Sequence, residues 1–451
     1  MAPDDDDDNE NMNGERKVIH PLSGVAPLPQ FELWSVPPTQ ISVEKDIETE
    51  VRPLSTLAAN QPIEFHVSSS VDEYINLSET YLYIKARVIL TKDDRRDAGV
   101  SDWNSVIPAN YFMHALFSQC EVKLGDKEIT LAPQTYSYRA FIEALLGYSA
   151  DAKKTVLSGS LWTETDAERT KIVKNGSASG TGKEGKRFDM MGRLHTDLTF
   201  QDKCLLGGVD LKIRLIPNTS KFYFKCDNGL TPELELGEVT LLVHKAKTYP
   251  SLVSSHAAAL ANYPARYPIT RCEVRQQGIP KGQLDAMLEN VIRGQMPRRM
   301  FVMMQETEIL NGTFNTDPFS FKHCDIDFMA AYIDGVQYPT RPYTPNFTDK
   351  LCTREYMELF IALNQNRTDT YATLDKETFI KDMPIFAFNF SPDLSNGPGA
   401  SGHVNTVSQG SLRLRMRFKR QLTKAMNVLL YSEFDNMIEI DANRNVLTDY
   451  N

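Results

Sequence analysis

Apolar and basic residues alternate strictly over residues 412–419. The apolar positions are Leu412, Leu414, Met416 and Phe418, and the basic positions that alternate with them are Arg413, Arg415, Arg417 and Lys419. Because successive side chains of a strand point to opposite faces, this pattern predicts a half-buried β-strand. A shift by one residue would turn the cations inward, so the pattern also fixes the register. Two apolar runs that follow, 427–434 and 437–441, predict further strands.

Similar short runs occur along most of the chain and favour an all-β architecture in which helices are the exception. The other predicted strands cover residues 63–67, 81–90, 121–130, 198–200, 211–215, 222–224, 239–243, 300–304 and 325–333. Apolar residues at helical spacing predict two short helices, at 136–146 and 353–363. Residues 150–187 are rich in Lys, Gly, Ser and Thr, which predicts a long surface loop.

The order of these elements repeats. A strand, a Gly-Asp turn, a second strand, a proline and a helix occupy residues 121–146, and the same order with an Asp-Gly turn occupies 328–363. The apolar and basic positions of residues 208–215 likewise match those of 410–416. Equivalent segments lie about 200 residues apart, which indicates two similar sandwiches in tandem.

Composition divides the chain into four parts. The predicted divisions are an acidic flexible tail and extended arm at 1–57, a first domain at 58–250 with the polar insertion 150–187, a linker at 251–268 and a second domain at 269–451. Trp34 lies in the arm, and a large aromatic side chain exposed there is expected to bind the surface of a partner.

Bulk composition excludes several classes of protein. The chain has 451 residues, 41% of them hydrophobic, and a net charge of −10, which argues against a surface that binds nucleic acid or anionic lipid throughout. No apolar run reaches the roughly 18 residues of a membrane span, and the N-terminus is acidic where a signal peptide is basic. We expect a protein that is soluble and intracellular when made, before any assembly.

Candidate catalytic motifs are weak. Residues 180–187 approach a phosphate-binding loop, but Arg187 stands where the motif requires Ser or Thr. His323 and Cys324 are adjacent, so on a strand they would face opposite ways. Asp325 and Asp327 would share a face, with a solvated strand as the simpler interpretation. The six cysteines are scattered without metal-ligand spacing, so the sequence predicts no enzyme, no catalytic residue, no cofactor and no metal site.

The basic row, defined as Arg413, Arg415, Arg417 and Lys419, has two possible roles. It could contact nucleic-acid phosphates or an acidic neighbouring protein. Alternatively it is a solvated strand face that charge protects from edge pairing. The pattern alone favours the solvated face and leaves the contact role open.

Short motifs in a specific order resemble the major capsid protein of Polinton (Maverick) elements and the related adintoviruses. They lie at 33–40, 74–84, 294–299, 311–312, 318–321, 334–339, 439–441 and 444–450. The motif positions taken as structural are Gly294, Pro297, Gly312, Pro318, Phe319, Phe321, Gly335 and Pro339. The resemblance spans residues 31–450, and the five-aspartate start and the loop at 175–187 depart from the family pattern.

This resemblance implies a double jelly roll: two tandem eight-stranded jelly rolls with short helices between strands. It further implies a hexon-like homotrimer that forms pseudo-hexagonal capsomers and tiles an icosahedral virion capsid around double-stranded DNA, without sequence-specific DNA binding. A smaller vertex, or penton, capsid protein is the implied partner. Trp34 and the basic row are the candidate assembly residues. The alternatives are a host-domesticated protein derived from such an element, and a ligand-binding β-sandwich that does not assemble.

Overall fold

A computed structural model describes most of the chain. The described residues are 28–58, 60–92, 99, 101–130, 134–174, 184–227, 229–310, 312–366, 372, 374–395 and 403–450. The chain separates into two units, residues 1–41 and 42–451. The described part of the first unit contains one 3-10 helix, Pro29–Phe31. Strands account for 44% of the structure and helices for 19%, which agrees with the predicted all-β class.

The first half of the larger unit is a sandwich of two four-stranded antiparallel sheets. Its strands are β1 (Val43–Val51), β2 (Ile63–Val67), β3 (Glu73–Lys92), β4 (Ile107–Pro108), β5 (Phe117–Leu124), β6 (Lys127–Glu128), β7 (Glu184–Arg193), β8 (Leu211–Pro217), β9 (Phe224–Lys225) and β10 (Leu230–Thr248). One sheet has the order β1-β10-β3-β7 and the other β2-β8-β5-β6, while β4 and β9 form a separate ribbon.

The second half repeats this arrangement. Its strands are β11 (Ala265–Ile279), β12 (Asp285–Gln295), β13 (Arg299–Glu306), β14 (Ile326–Ile333), β15 (Val336–Tyr343), β16 (Phe386–Asn389), β17 (Gln409–Phe418), β18 (Met426–Ile440) and β19 (Val446–Thr448). The sheet orders are β11-β18-β13-β16, with β19 added beside β18, and β12-β17-β14-β15.

Both sandwiches have the same strand order. With the eight main strands of each counted along the chain, one sheet reads first, eighth, third and sixth, and the other reads second, seventh, fourth and fifth. This is the order of a jelly roll, in which the first and last strands pair and each later pair nests inside them. The predicted fold class, a double jelly roll, is confirmed. The segments 208–215 and 410–416 overlap the equivalent strands β8 and β17.

The alternation in β17 has the predicted consequence. Leu412, Leu414, Met416 and Phe418 are at most 1% exposed. They face the core of the second jelly roll, while β17 pairs with β12 on one side and β14 on the other. Since each such buried side chain contributes roughly 1.5–3 kcal/mol, this central strand is firmly held in register.

Nine α-helices lie among the described residues, and most are short. They are α1 (Phe112–Ala115), α2 (Tyr136–Gly147), α3 (Ala150–Lys154), α4 (Asp166–Val173), α5 (Ser220–Tyr223), α6 (Pro250–Leu260), α7 (Thr307–Leu310), α8 (Thr353–Ala362) and α9 (Lys376–Lys381). Further 3-10 helices cover Asp102–Ser105 and Leu157–Ser160. The predicted helices correspond to α2 and α8, which occupy equivalent places after the fifth strand of each jelly roll.

The structure corrects the prediction of a long loop at 150–187. This segment contains α3, α4 and the first residues of β7, because Lys153, Leu157, Trp162 and Val173 are buried. Residues 175–183 of this segment, which include Gly180 of the approximate phosphate-binding motif, lie outside the described residues. Gly185 is in β7, where an added Cβ would lie 2.7 Å from the Val173 carbonyl oxygen, so close packing explains this glycine.

Three further expectations on strands were wrong. Residues 198–200 form a turn, residues 222 and 223 lie in α5, with only Phe224 in a strand, and residues 427–441 belong almost entirely to the single strand β18. The range predicted as the linker holds α6, which has Pro250 in its first turn, and the first residues of β11. The domain boundaries stay a prediction, while strands of the two jelly rolls run from Val43 to Thr248 and from Ala265 to Thr448.

Candidate assembly surfaces and the seam between the jelly rolls

The two jelly rolls meet at a seam whose apolar part is aromatic. Phe319, which precedes β14 of the second jelly roll, stacks on Phe141 of α2 with ring centroids 4.2 Å apart and planes 4° apart. It also meets Tyr138 and Phe222 of the first jelly roll edge to face. Aromatic pairs contribute about 0.5–1.5 kcal/mol beyond the area that they bury. Helix α2 is therefore the element that joins the two cores.

Hydrogen bonds hold the same segment in place. The Tyr138 hydroxyl donates to Gln305 Oε1 over 2.7 Å, and the Gln305 amide donates to the Pro318 carbonyl oxygen. Gln305 is fully buried on β13. Because buried polar groups are costly when unpaired, this chain of contacts fixes the position of Pro318 and Phe319. Two of the residues that the family resemblance singled out are thus packing residues of the seam.

A second, polar part of the seam surrounds Arg139 of α2. Its guanidinium lies 2.7 Å from Asp197 Oδ1 and 2.8 Å from Glu143 Oε1. Asp197 Oδ1 also accepts the backbone N–H of Cys272 on β11, over 3.0 Å. The Tyr431 hydroxyl on β18 donates to Glu143 Oε1 over 3.3 Å. Ion pairs of the first jelly roll are therefore hydrogen-bonded directly to strands of the second.

Burial and neighbouring charges change the pKa values of the ionisable side chains in this network. Burial opposes the charged form of Glu143, but Arg139 and the contact with His195 outweigh it and lower the pKa of Glu143 to about 2. Burial raises the pKa of Asp197, and Arg139 acts against that rise. His114, whose ring centroid lies 4.8 Å from that of His195, has its pKa lowered well below the usual value by burial. Glu143 therefore carries its charge at neutral pH while His114 is neutral.

Two arginines of the second jelly roll extend the polar seam. Arg298 donates to Asp435 Oδ1 over 2.5 Å and to Glu433 Oε2 over 2.7 Å. Arg299 donates to both oxygens of Glu433, over 2.5 and 3.0 Å. Burial works against ionisation of Glu433, but the two arginines prevail and lower its pKa. In the sequence, Arg298 and Arg299 stand out only as part of the motif at 294–299. Two arginines in an otherwise apolar stretch are the signal that could have identified them as buried partners.

The glycines and prolines of the family motifs lie in different places. Gly312 has a φ of +84°, and an added Cβ would lie 3.2 Å from Lys221 Cβ and Thr219 Oγ1 of the first jelly roll, so it belongs to the seam. Gly335 forms the turn between β14 and β15 with a φ of +90°, which favours glycine. The remaining motif positions are Gly294 with a φ of +99° in β12, Pro297 between β12 and β13, Pro339 after a cis peptide bond, and the buried Phe321.

The basic row lies on the outer face of β17 and is matched by acids of its own sheet. Arg415 contacts Asp285 over 2.9 Å, Arg417 contacts Asp327 over 2.9 Å, and Arg413 contacts Glu289 over 3.3 Å. Lys419 is exposed just after the strand. Exposed pairs of this kind add at most about 1 kcal/mol each. The face therefore presents alternating charges of both signs, and Asp327, once a candidate catalytic acid, is a salt-bridge partner.

The remaining candidates have structural explanations or stay open. Cys324 has its pKa raised to about 12 by burial, which suppresses the thiolate that a nucleophile needs. Asp325 lies before β14, so it does not share a strand face with Asp327. All six cysteines are free thiols. Trp34 is 87% exposed in the described part of the first unit, and its assembly role stays a prediction.

The described residues contain neither a candidate metal-binding cluster nor a candidate membrane-spanning helix. No group of three or more His, Cys, Asp or Glu side chains there is arranged to hold a metal ion. No helix in that part of the chain is long and apolar enough to cross a membrane.

Comparisons with known proteins place this architecture. No family model matches the chain. A Caenorhabditis elegans protein described as uncharacterized is 24% identical over 428 residues, which cover 92% of this chain and 99% of that protein.

Solved structures show the same fold at low sequence identity. The cryo-EM structure of the Sputnik virophage matches with a TM-score of 0.61 and 10% identity, over 95% of this chain and 93% of that one. The mavirus major capsid protein gives 0.55 and 11%, over 96% and 97%, and the Faustovirus major capsid protein gives 0.56 and 8%, over 91% and 92%. These similarities establish the double jelly-roll fold of this chain, and the Polinton assignment stays a prediction.

Proposed function

We propose that this protein is a major capsid protein of the Polinton type. The observation that carries the proposal is the pair of complete jelly rolls joined by the buried seam at α2, over a chain length that matches viral capsid proteins almost end to end. A shell subunit needs a rigid body, and two sandwiches held together by a buried seam supply it. Because fold alone does not determine function, the proposal requires a test of assembly.

Three copies form the building block in this proposal. Each copy contributes two sandwiches of the same strand order, so a closed ring of three presents six similar units and a pseudo-hexagonal outline. Such capsomers tile an icosahedral shell around double-stranded DNA, with a smaller penton protein at the vertices. Contacts between neighbouring capsomers are individually weak, and the shell gains strength from their repetition.

Native mass and electron microscopy test the trimer. The purified protein is expected to have a mass of about 153 kDa, three times the 51.0 kDa of one chain, and to appear as hexagonal particles in negative stain. A monomer that persists at micromolar concentration would refute the capsid proposal. Co-expression with the candidate penton protein and DNA then asks whether shells form.

Charge reversal tests the basic row as an assembly surface. The triple change of Arg413, Arg415 and Arg417 to Glu breaks exposed contacts only, so the fold is expected to be retained while contacts between copies change. A matched control reverses Arg214 of β8, which occupies the equivalent strand of the first jelly roll and pairs with Glu64. If the triple variant assembles like the control, the row is a solvated face.

A host-domesticated protein is the second candidate, and the nematode relative is the observation that favours it. A gene reused by an animal could retain the trimer and lose the shell. Neighbouring genes for a packaging ATPase, a protease and a penton protein would indicate an intact element, and their absence from every locus would favour reuse.

A further inference from the structure

Two equivalent sheets of the jelly rolls differ in how many of their faces are covered. In the second jelly roll, every residue of β13 except the two at its ends is buried, and β18 is buried without a break over residues 428–436. In the first, β3 alternates between buried and accessible residues over 81–90. The sheet β1-β10-β3-β7 therefore has an accessible outer face, whereas both faces of the central strands in its counterpart β11-β18-β13-β16 are covered.

The seam explains this difference. The outer face of the counterpart sheet lies against α2 and against the segment that follows β7, and both belong to the first jelly roll. Tyr138 of α2 donates to Gln305 of β13, and Asp197 of that segment accepts the backbone N–H of Cys272 on β11. One jelly roll thus uses the helix after its fifth strand and the segment after its sixth to cover the outer sheet of the next.

The second jelly roll has the same two elements. Helix α8 follows its fifth strand, and residues 391–395 follow its sixth strand, β16. Pro-Asp-Leu-Ser at 392–395 corresponds to Thr-Asp-Leu-Thr at 196–199 in the first jelly roll, with Asp-Leu in common. Met357 and Ile361 lie on one side of α8, because they are four residues apart, and they are 43% and 41% exposed. Leu394 is exposed as well, so both elements present apolar side chains to solvent.

Apolar side chains also occupy the accessible sheet face of the first jelly roll. Tyr83 of β3 lies opposite Met191 of β7. Tyr81 of β3 lies opposite Leu242 of β10. Opposite residues of an antiparallel pair share a face, and Leu82 between the two tyrosines is buried in the core. The four side chains therefore point outwards together and form an apolar patch.

Charged residues beside this apolar patch are paired within the same copy. Lys85 contacts Glu238 over 2.8 Å. Arg87 contacts Glu235 over 2.8 Å and Glu184 over 2.7 Å. Protein interfaces commonly combine an apolar middle with a polar rim. Because both cations already have acidic partners, an apolar surface suits this face better than a charged one.

Helix α8 is continuous with the seam. Gln365, just after the helix, donates its side-chain amide to the Leu146 carbonyl oxygen near the end of α2, over 3.0 Å. Arg299 of β13 donates to the carbonyl oxygen of Ala362, the last residue of α8, over 3.2 Å. The C-terminal ends of the two helices therefore lie close together, and the exposed side of α8 extends a contact that already joins the jelly rolls.

We propose that the outer face of β3, β7 and β10 binds the second jelly roll of another copy of this chain, through α8 and residues 391–395. The contact repeats the seam, with α8 of one copy in the role that α2 has within each copy. Because the two surfaces differ, every copy offers one and accepts the other, and three such contacts can close a ring. The inference rests on the proposed capsid function and adds to it the surfaces that join the copies.

Cysteine labelling tests the contact without disrupting it. Met357→Cys on α8 and Met191→Cys on β7 place one thiol on each surface, and Val336→Cys at an exposed position of β15 is the matched control. The wild-type chain supplies the baseline for the six native thiols. In the purified trimer, both test thiols should react with a maleimide at least about tenfold more slowly than the control thiol. Labelling of either test thiol as fast as the control, in an intact trimer, would overturn the proposal and leave the face to a partner other than a copy of this chain.

Carboxylates placed on either surface test its contribution to assembly. The double variant Met357→Glu, Ile361→Glu changes α8, Met191→Glu changes the sheet face, and Val336→Glu is the control. Because burial of an unpaired carboxylate is costly, both test variants should raise the Kd of the trimer at least about a hundredfold, and the control should stay within about threefold. Melting curves of the monomers should match, since all these side chains are exposed in a single copy.

Native mass separates failure of this contact from failure of the proposed function. A wild-type trimer together with equally stable trimers of the test variants would refute the contact and leave the capsid proposal standing. A wild-type chain that stays monomeric would refute both. If a glutamate variant does not fold, the labelling experiment still decides.

Discussion

The aromatic stack across the seam gives the sharpest prediction about stability. Phe319 is 2% exposed and contacts Phe141, Tyr138 and Phe222, all of them in the first jelly roll. Truncation of a buried phenylalanine to alanine costs about 3–5 kcal/mol through lost burial and the cavity that remains. Phe319→Ala is therefore expected to lower the free energy of unfolding by about that amount, a large part of the roughly 5–15 kcal/mol typical of a folded protein.

The location of Phe319 predicts more than a loss of stability. Its ring belongs to the second jelly roll but packs against aromatic side chains of the first, so its removal should weaken the coupling between them. Phe65→Ala is the matched control, because Phe65 is 1% exposed on β2 inside the first jelly roll. This control should cost a similar free energy while the two jelly rolls still unfold together.

Denaturation in guanidinium chloride followed by two signals separates these outcomes. Trp103 and Trp162 are buried in the first jelly roll, and the third tryptophan of the chain is Trp34. In a Trp34→Phe background, tryptophan fluorescence reports the first jelly roll and far-UV circular dichroism reports both. Phe319→Ala should separate the two transitions, and Phe65→Ala should not. A loss below about 1 kcal/mol, or coincident transitions in Phe319→Ala, would refute the role of the stack.

Three further outcomes follow from the structure. The folded pKa of Glu143 lies below its ordinary value of 4.5, so folding favours the ionised over the protonated side chain by about 3 kcal/mol, an advantage that is present above pH 4.5 and is lost as the pH falls towards about 2. The stability gap between wild type and Glu143→Gln, measured by urea unfolding, should narrow over that range, and a constant gap would contradict this. Gly312→Ala should lower the melting temperature more than Gly335→Ala, because both have positive φ but only the first meets atoms across the seam. Deletion of residues 1–41 should leave a folded trimer and impair shells, whereas deletion of 1–57 should also destabilise the fold because it removes β1; normal shells from the shorter deletion would exclude a role for the arm.

Local patterns predicted many of the strands and the tandem repeat, but not the strands β1, β7, β11 and β12. In β17 the alternation of Leu412 and Leu414 with Arg413 identifies the buried face without knowledge of any neighbour. Residues 435 and 436 misled the same reasoning, because Asp-Asn in an apolar run indicates a turn. In the structure both lie inside β18, where Arg298 pairs with Asp435 and Arg271 donates to Asn436 Oδ1.

Tertiary contacts explain the helices that the sequence did not predict. Lys153 is 3% exposed, and its ammonium group donates to the Leu145 carbonyl oxygen over 2.8 Å and lies 5.4 Å from the Trp162 ring centroid. A lysine in a polar stretch indicates solvent exposure, yet α2 supplies it with an acceptor and a ring. The polar seam escaped prediction for the same reason, since Asp197 and Cys272 lie far from Arg139 in the sequence.

The two parts of the seam have different physical roles. Buried ion pairs recover little net stability, because each charge loses its hydration, but removal of one partner leaves an uncompensated charge. The Arg139 pairs lie within the first jelly roll and add little to the strength of the seam. The hydrogen bonds that Asp197 and Glu143 accept from Cys272 and Tyr431 instead fix how the second jelly roll is placed. The stack on Phe319 has no such directional demand and supplies the attraction. A subunit that must present the same outline to every neighbour in a lattice needs both properties.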